Sequence, residues 1–216
     1  MYINKCFEPK TPEFLNQSWL RVMYKNQIYI PYLFRLRKQS FSADAVRSFN
    51  PKGYGHYHKI YHFVYYLKGS NTILVNDKKI KVRSDQMILI DPDVYHDVIP
   101  QESADCSFIT LMIVYRIPDS ELDNLDIPFS RLLGILTGRG IESEFIIEDS
   151  TGNLRIIFAH LEKHILENTN SRQEHTGYCL MALLNEISGL QLSPIRECQI
   201  PDDILTIRQY LFMAPV

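Results

Sequence analysis

The sequence predicts a mainly β protein with C-terminal helices, in which an antiparallel β-barrel precedes an α-helical hairpin. Short runs of β-branched and aromatic residues, separated by turn residues, fill residues 27–117 and indicate strands. Beyond residue 118 the apolar positions change to helical spacing. Of the 216 residues, 45% are apolar and 22% are charged, which excludes the collagen-like, coiled-coil and disordered classes.

The strand segments follow one another without an intervening helical pattern. This order excludes alternating βαβ units and therefore predicts an antiparallel sheet. Asn76-Asp77 is a candidate hairpin turn between two of the segments. The predicted strands are QIYIPYLFRLR (27–37), HYHKIYHFVYYLKG (56–69), NTILV (71–75), KKIKV (78–82), DQMILI (85–90) and CSFITLMIVYRI (106–117).

The helices follow the strands. A short helix is predicted within 119–140, ending at Gly138 or Gly140. The clearest helix has its cap at Asp149 or Ser150 and repeats apolar residues at helical spacing, namely Leu154, Ile157, Phe158, Leu161 and Ile165. A third helix is predicted at about 173–192, before Pro194, and it pairs with the second as an antiparallel hairpin.

We therefore divide the chain into three parts. Residues 1–118 hold an N-terminal arm and the barrel, residues 119–195 the helical region, and residues 196–216 a linker with the start of a further helix. No repeat or low-complexity tract interrupts this order.

The charge balance argues against DNA as a direct partner. Lysine and arginine total 23 against 25 aspartates and glutamates, for a net charge of -2 and a pI near 6.4. A DNA-binding domain normally carries a basic patch. We therefore expect that this chain alone does not bind DNA specifically.

The same composition gives expectations about location. The N-terminus lacks the apolar run of a signal peptide, and apolar stretches fall short of the ~18 residues that a span needs. The four cysteines form no Cys-x-x-Cys pair, which argues against a zinc knuckle or redox motif: Cys6, Cys106, Cys179 and Cys198. We expect a cytoplasmic protein with no membrane partner.

Histidines give the sharpest chemical signal. His56, His58 and His62 share strand parity with Tyr66, so the two-residue period predicts that they face the barrel interior together. His96 follows the Asp91-Pro92-Asp93 turn, where a hairpin-rich barrel could bring it opposite them. Converging imidazoles can bind Zn, Fe, Ni or Cu, and His56, His58 and His96 are the candidate ligands.

Plainer interpretations stay open at each position. His56 and His58 could be polar pocket walls without metal, His62 a buried hydrogen-bonded residue, and His96 a surface loop residue. His160 and His164 stand at i, i+4, but without a neighbouring motif Glu we expect a solvated helix face. One further set could lend a cation to a ligand or line a solvated sheet edge, namely Arg35, Arg37 and Lys38.

Two sequence motifs resemble those of the cupin superfamily. They are His56-x-His58-x3-His62-x6-Gly69 and Ser84-Asp85-x4-Ile90-x-Pro92-x3-His96. The resemblance implies a cupin-like barrel, a double-stranded β-helix or jelly roll, with a His, His, Glu and His metal set. This chain departs from the motifs at three positions, with His62 for the Glu, Asp93 for the turn Gly and Ser84 for another Gly.

The wider order of elements resembles the N-terminal sensing half of AraC-type transcription regulators, most specifically over residues 63–100. The resemblance implies a small effector in the barrel, a homodimer through the helical hairpin, and DNA binding by a separate helix-turn-helix domain. That domain would need roughly another 90 to 100 residues, so we expect it to be absent from this chain. The implied effector-binding residues are His56, His58, His62, Tyr66 and His96.

Two rival functions remain. One is a metal-dependent cupin enzyme, a dioxygenase or isomerase, using the histidines as ligands and His62 as a further ligand or acid/base group. The other is a stand-alone sugar-binding cupin. For the sensor we expect no cofactor beyond a possible divalent metal. An aromatic, hydroxyl-rich wall suits a sugar effector, with phenolic and fatty ligands still open.

Overall fold

The computed structural model of the protein describes residues 3–8, 13–15, 20–42, 55–99, 105–120, 123–137, 146–166 and 171–189. The predicted linker at 196–216 lies outside these residues, as do Gly138, Gly140, Pro194 and Cys198. Cys6, Cys106 and Cys179 are free thiols.

The described residues form eleven strands and three helices. The strands are β1 (Ile3–Phe7), β2 (Glu13–Phe14), β3 (Val22–Tyr24), β4 (Gln27–Phe41), β5 (Tyr61–Lys68), β6 (Ser70–Val75), β7 (Lys78–Arg83), β8 (Gln86–Ile90), β9 (His96–Val98), β10 (Cys106–Arg116) and β11 (Ile146–Glu148). The helices are α1 (Phe129–Thr137), α2 (Asn153–Leu166) and α3 (Arg172–Ser188).

The strands form two sheets in which every pairing is antiparallel, as the sequence predicts. The larger sheet has the order β1-β4-β10-β5-β8-β11, and β2 and β3 also pair with β4. The smaller sheet has the order β7-β6-β9.

Both sheets contribute to one apolar cluster, which holds them face to face as a cupin-like barrel of jelly-roll type. The larger sheet supplies Val64, Tyr66, Ile88, Ile90, Cys106 and Phe108, and the smaller sheet supplies Ile73, Val75 and Val82. Burial of such side chains contributes roughly 1.5–3 kcal/mol each. The predicted fold class, mainly β with C-terminal helices, is confirmed.

The other face of the larger sheet packs against the helices. Tyr65 of β5 stacks on Phe158 of α2, with ring centroids 5.1 Å apart and an interplanar angle of 11°. The helices add buried apolar side chains to this second core, including Leu154, Ile157, Leu161, Cys179, Leu180, Leu183 and Leu184. The alternation along β5 therefore sends odd residues to the helices and even residues into the barrel.

The histidine strand starts later than the sequence predicts. β5 begins at Tyr61, whereas residues 57–60 are not in strand conformation and His56 makes only an isolated bridge to His96. Tyr57 is 71% exposed because it lies in this irregular segment. The short strands β1, β2, β3, β9 and β11 were not predicted, since few residues carry each pattern.

The helix hairpin forms as expected, with boundary differences. Asp149 caps α2, accepting hydrogen bonds from the backbone N–H groups of Leu154 at 3.1 Å and Arg155 at 2.8 Å. α3 ends earlier than predicted because Gly189 adopts a left-handed conformation, φ 61°, after Ser188. No helix among the described residues combines the length and the apolar character that crossing a membrane requires.

Candidate functional site

Four imidazoles meet at one place in the barrel. His58 lies between the others, with ring centroids 5.3 Å from His56, 4.2 Å from His62 and 5.0 Å from His96. His96 in turn lies 4.5 Å from His56 and 5.2 Å from His62. We call His56, His58, His62 and His96 the barrel cluster.

Backbone hydrogen bonds fix the segments that carry these rings. His56 and His96 exchange N–H to O bonds of 3.1 Å and 3.0 Å, while Asp93 N–H donates to the His58 carbonyl at 2.9 Å. The turn that leads to His96 keeps its reversal without glycine, because Asp93 takes φ 58°. Aspartate tolerates this left-handed conformation better than most residues. The motif departure at Asp93 thus leaves the turn intact.

The tautomer of His96 is set by its neighbour. Its Nδ1 lies 2.9 Å from the Val94 carbonyl oxygen, which can only accept, so Nδ1–H is the donor. In the neutral ring Nε2 then carries the free lone pair. This is the arrangement in which a protein orients a histidine for a metal or a ligand donor.

The other buried rings hold unsatisfied nitrogens. Both nitrogens of His58 and Nε2 of His62 are buried without a hydrogen-bond partner. Burial, with repulsion from the neighbouring imidazoles, lowers the pKa of His58 to about 4 and that of His62 well below its usual range. Burial also lowers the pKa of His96. These three rings are therefore neutral at pH 7, and the buried nitrogens of His58 and His62 lack a hydrogen-bond partner.

The barrel cluster has the chemistry to hold a divalent metal. One nitrogen from each of His56, His58 and His96 can be chosen so that all three lie within 4.8 Å of one another. Neutral imidazoles of this kind suit Zn, Fe, Ni or Cu, and the orphaned His58 nitrogens fit the same role. His62, at the position of the motif Glu, lies beside this trio and not within it.

Arg35 lies beside the barrel cluster, although the sequence motifs did not include it in the site. Strand pairing places Arg35, Met112, His62 and Ile90 in one row across β4, β10, β5 and β8. The positive charge of Arg35 lowers the pKa of both His58 and His62, and its Nε is buried without a partner. The interpretation as a solvated sheet edge is wrong, because β4 pairs with β1 on one side and β10 on the other. Another guanidinium nitrogen of Arg35 pairs with Glu8.

Tyr66 lies on the same inward-facing side of β5 as His62, but further along the strand and away from the imidazoles. It is four residues further along β5, about 13 Å at strand rise. It is 1% exposed, and its ring contacts Phe108 at a centroid distance of 5.2 Å. Its hydroxyl accepts a hydrogen bond from Asn71 Nδ2 at 3.3 Å. Tyr66 is thus part of the apolar cluster between the sheets and does not adjoin the four imidazoles.

The remaining three histidines also meet, in the helical hairpin. His164 is only 5% exposed, because the first turns of α3 cover it, and its ring stacks on His175 at 3.9 Å. The expectation of a solvated face at His160 and His164 is therefore wrong for His164. The sequence predicts that the two helices pair, but it does not predict that His175 contacts His160 and His164. That contact depends on the angle between the helices.

Comparisons with known proteins found similar solved structures and a match to one family model. Solved structures similar to this chain include a predicted oxalate decarboxylase from Thermotoga maritima (13% identity over 40% of this chain and 80% of that chain, TM-score 0.29), KdgF from Halomonas sp. (12%, 47% and 93%, TM-score 0.29) and a cupin protein from Bacteroides fragilis (13%, 53% and 92%, TM-score 0.30). No curated protein sequence matches the chain. Residues 50–124 match the family model of the AraC-like ligand binding domain, and this stretch contains the whole barrel cluster.

Proposed function

We propose that the protein is the small-molecule-sensing and dimerisation region of an AraC-type regulator, with its effector held at the barrel cluster. The observation that carries the proposal is the group of neutral, unpartnered imidazoles within the segment that matches the ligand-binding family model. Buried polar nitrogens without partners cost free energy, which a hydrogen-bonding ligand recovers. DNA binding then belongs to a separate domain.

The polar groups favour a hydroxyl-bearing ligand such as a sugar. His58 offers two ring nitrogens and His62 one, and each neutral imidazole can donate and accept. Arg35 adds a donor at Nε on the same row as His62. Sugar hydroxyls also both donate and accept, so they match this set better than a fatty chain does.

A polar network gives the barrel a route to the helices. The Tyr65 hydroxyl lies 2.9 Å from the Asp149 carboxylate and 3.1 Å from that of Asp85, and Arg155 of α2 also bonds Asp85. Tyr65 stands on the strand that carries His62, and Asp149 caps α2. A ligand that favours one arrangement of β5 thereby biases the position of α2, as population shift requires.

Thermal unfolding in the presence of candidate effectors tests the sensor. After removal of metals by chelation, a bound sugar at 100 times its Kd should stabilise the fold by about 2.7 kcal/mol through mass action and raise Tm. His58→Ala should abolish that rise without lowering the Tm of the free protein, because its ring nitrogens make no bonds to lose.

Tyr57→Ala is the matched control, since Tyr57 neighbours His58 in sequence but is exposed. It should keep the full rise in Tm. A panel of sugars, phenolics and fatty acids that leaves Tm unchanged, or a His58→Ala variant with the wild-type rise, would contradict the proposal.

A metal-dependent enzyme is the second candidate, favoured by the closeness of the His56, His58 and His96 nitrogens. A metal held there would supply Lewis-acid or oxygen chemistry, with Arg35 and His62 beside it to orient a substrate. Elemental analysis with oxygen-consumption assays of the Fe-loaded protein distinguishes the two. Turnover that disappears in His58→Ala would favour the enzyme, and ligand-induced stabilisation without turnover would favour the sensor.

A further inference from the structure

All seven histidines of the chain fall into two clusters, four in the barrel and three in the helical hairpin. We call His160, His164 and His175 the hairpin cluster. His160 and His164 stand one turn apart on α2, so they lie on one face of that helix. His175 lies near the start of α3, which meets the last turns of α2. The helices are antiparallel, because Asn153 at the start of α2 bonds Glu186 near the end of α3.

The three rings of the hairpin cluster are in mutual contact. Ring centroids are 4.3 Å apart for His160 and His164, 5.5 Å for His160 and His175, and 3.9 Å for His164 and His175. The Nε2 atoms of His160 and His164 are 2.6 Å apart. One nitrogen from each ring can be chosen so that all three lie within 4.8 Å of one another.

These distances bracket those of a tetrahedral zinc site. With Zn–N bonds of 2.0–2.1 Å, ligand nitrogens lie about 3.3 Å apart. The close His160 and His164 pair must open by about 0.7 Å. The His175 ring must also turn out of its stack on His164, because an imidazole binds a metal in its own ring plane. Side-chain rotations between rotamers provide both changes. Three protein ligands would leave a fourth position for water.

The hairpin cluster also contains a buried polar atom whose hydrogen-bonding capacity is unsatisfied. His164 is 5% exposed, and its Nδ1 is buried without a hydrogen-bond partner. Burial and the neighbouring His175 and His160 lower the pKa of His164 to about 4, so the ring is neutral at pH 7, the form that binds metal. A hydrophobic residue would fill the same space without these costs.

The charged residues nearby influence the affinity of the hairpin cluster for a cation. Lys163 and Arg172 add positive charge near His164, which weakens cation binding. The guanidinium of Arg172 lies over the Phe7 ring at 3.8 Å, and Glu162 pairs with Lys38. No described carboxylate belongs to the hairpin cluster. The chemistry is therefore that of three neutral imidazoles, which suits Zn²⁺ and excludes Ca²⁺ and Mg²⁺.

We infer that His160, His164 and His175 form a zinc site that ties α2 to α3. This site is separate from the barrel cluster and does not depend on whether the barrel senses a ligand. Its effect is structural, because a bound ion joins the two helices of the hairpin directly and stabilises them only in the folded state.

Competition between the metal-free chain and a chromophoric zinc chelator tests the site. The barrel cluster is first disabled with His56→Ala and His58→Ala, so that any remaining equivalent reports the hairpin. This background should bind one Zn²⁺, and Zn²⁺ should raise its Tm. Adding His160→Asn and His175→Gln should weaken binding by at least about 100-fold, because two of three ligands are lost.

Gln173→Ala is the matched control, an exposed residue of α3 two positions before His175. It should keep both the affinity and the rise in Tm. His160 and His175 are only half-buried, and cooperative unfolding in EDTA verifies that their variant folds. Absorption of the Co²⁺-loaded background should show the intense visible bands of tetrahedral coordination. A background that binds no Zn²⁺, or a hairpin variant that binds it unchanged, would overturn the inference.

Discussion

Single residues decide where the chain can reverse direction. Gly69 has φ 75°, and a Cβ there would lie 1.7 Å from the Asp105 carbonyl oxygen. Gly152 has a similar φ of 78° but no atom within 4 Å of a Cβ. Comparing alanine substitutions at these two glycines therefore distinguishes the cost of backbone strain from the cost of a steric clash.

Gly69→Ala should lower the free energy of unfolding by at least about 3 kcal/mol, because strain and a backbone clash add. Gly152→Ala should cost only about 1 kcal/mol, the strain of the left-handed conformation alone. Urea denaturation of both variants measures the difference. Equal losses would mean that the turn before β6 moves to accommodate a methyl group.

The turns show how far residue identity alone predicts structure. The hairpin at Asn76-Asp77 was predicted without a glycine, and Asn76 takes φ 51° there. Parity predicted that His62 and Tyr66 face the barrel interior, because strand alternation depends only on sequence position. Depth along the strand does not follow from parity, which is why Tyr66 lies in the apolar cluster instead of beside the imidazoles.

At the scale of elements, α2 is held at its start by Asp149. This carboxylate accepts hydrogen bonds from two otherwise unpaired backbone N–H groups and one from the Tyr65 hydroxyl. Asp149→Ala should lower the free energy of unfolding by about 1–2 kcal/mol through loss of the cap. Ser150→Ala, at the exposed neighbouring residue, should change it by less than about 0.5 kcal/mol.

Denaturant unfolding followed by circular dichroism measures both variants. Asp149→Asn is a useful intermediate, since its amide oxygen still caps the helix. An Asp149→Ala protein as stable as the wild type would contradict the role of the cap.

Contacts between elements explain what the sequence could not predict. Apolar periodicity predicted α2 and α3, and the motif spacing predicted that His56, His58 and His96 lie together. Both predictions depend only on the spacing of residues along the chain. Arg35 and His175 join their clusters through strand pairing and the hairpin angle, which no local pattern encodes. The motifs alone therefore did not place Arg35 beside the barrel cluster, although its cationic role was one of two interpretations, and they did not predict the hairpin cluster.

At the scale of the whole molecule, the main apolar faces of the helices are buried within one protomer. Leu161 of α2 and Leu184 of α3 are 0% and 1% exposed within the core of one protomer. The sheet covers α2, which packs on β1, β4 and β5, and α3 packs in turn on α2 and α1. A homodimer through the hairpin must therefore use the outer surface, where Ile156 of α2 is 39% exposed.

Sedimentation at tens of micromolar protein tests this arrangement. We expect a dimer, because the proposed sensor would act through paired subunits. Ile156→Glu should shift the protein to monomer, because it places a charge in the proposed apolar contact. The Tm of the protomer should fall little, since the introduced carboxylate is exposed to water in the monomer. Leu161→Glu should instead unfold the protomer, because an unpaired carboxylate in the core costs more than about 4 kcal/mol. A wild-type monomer would remove the dimer from the proposal. A dimer unaffected by Ile156→Glu would place the contact elsewhere, away from the exposed face of α2.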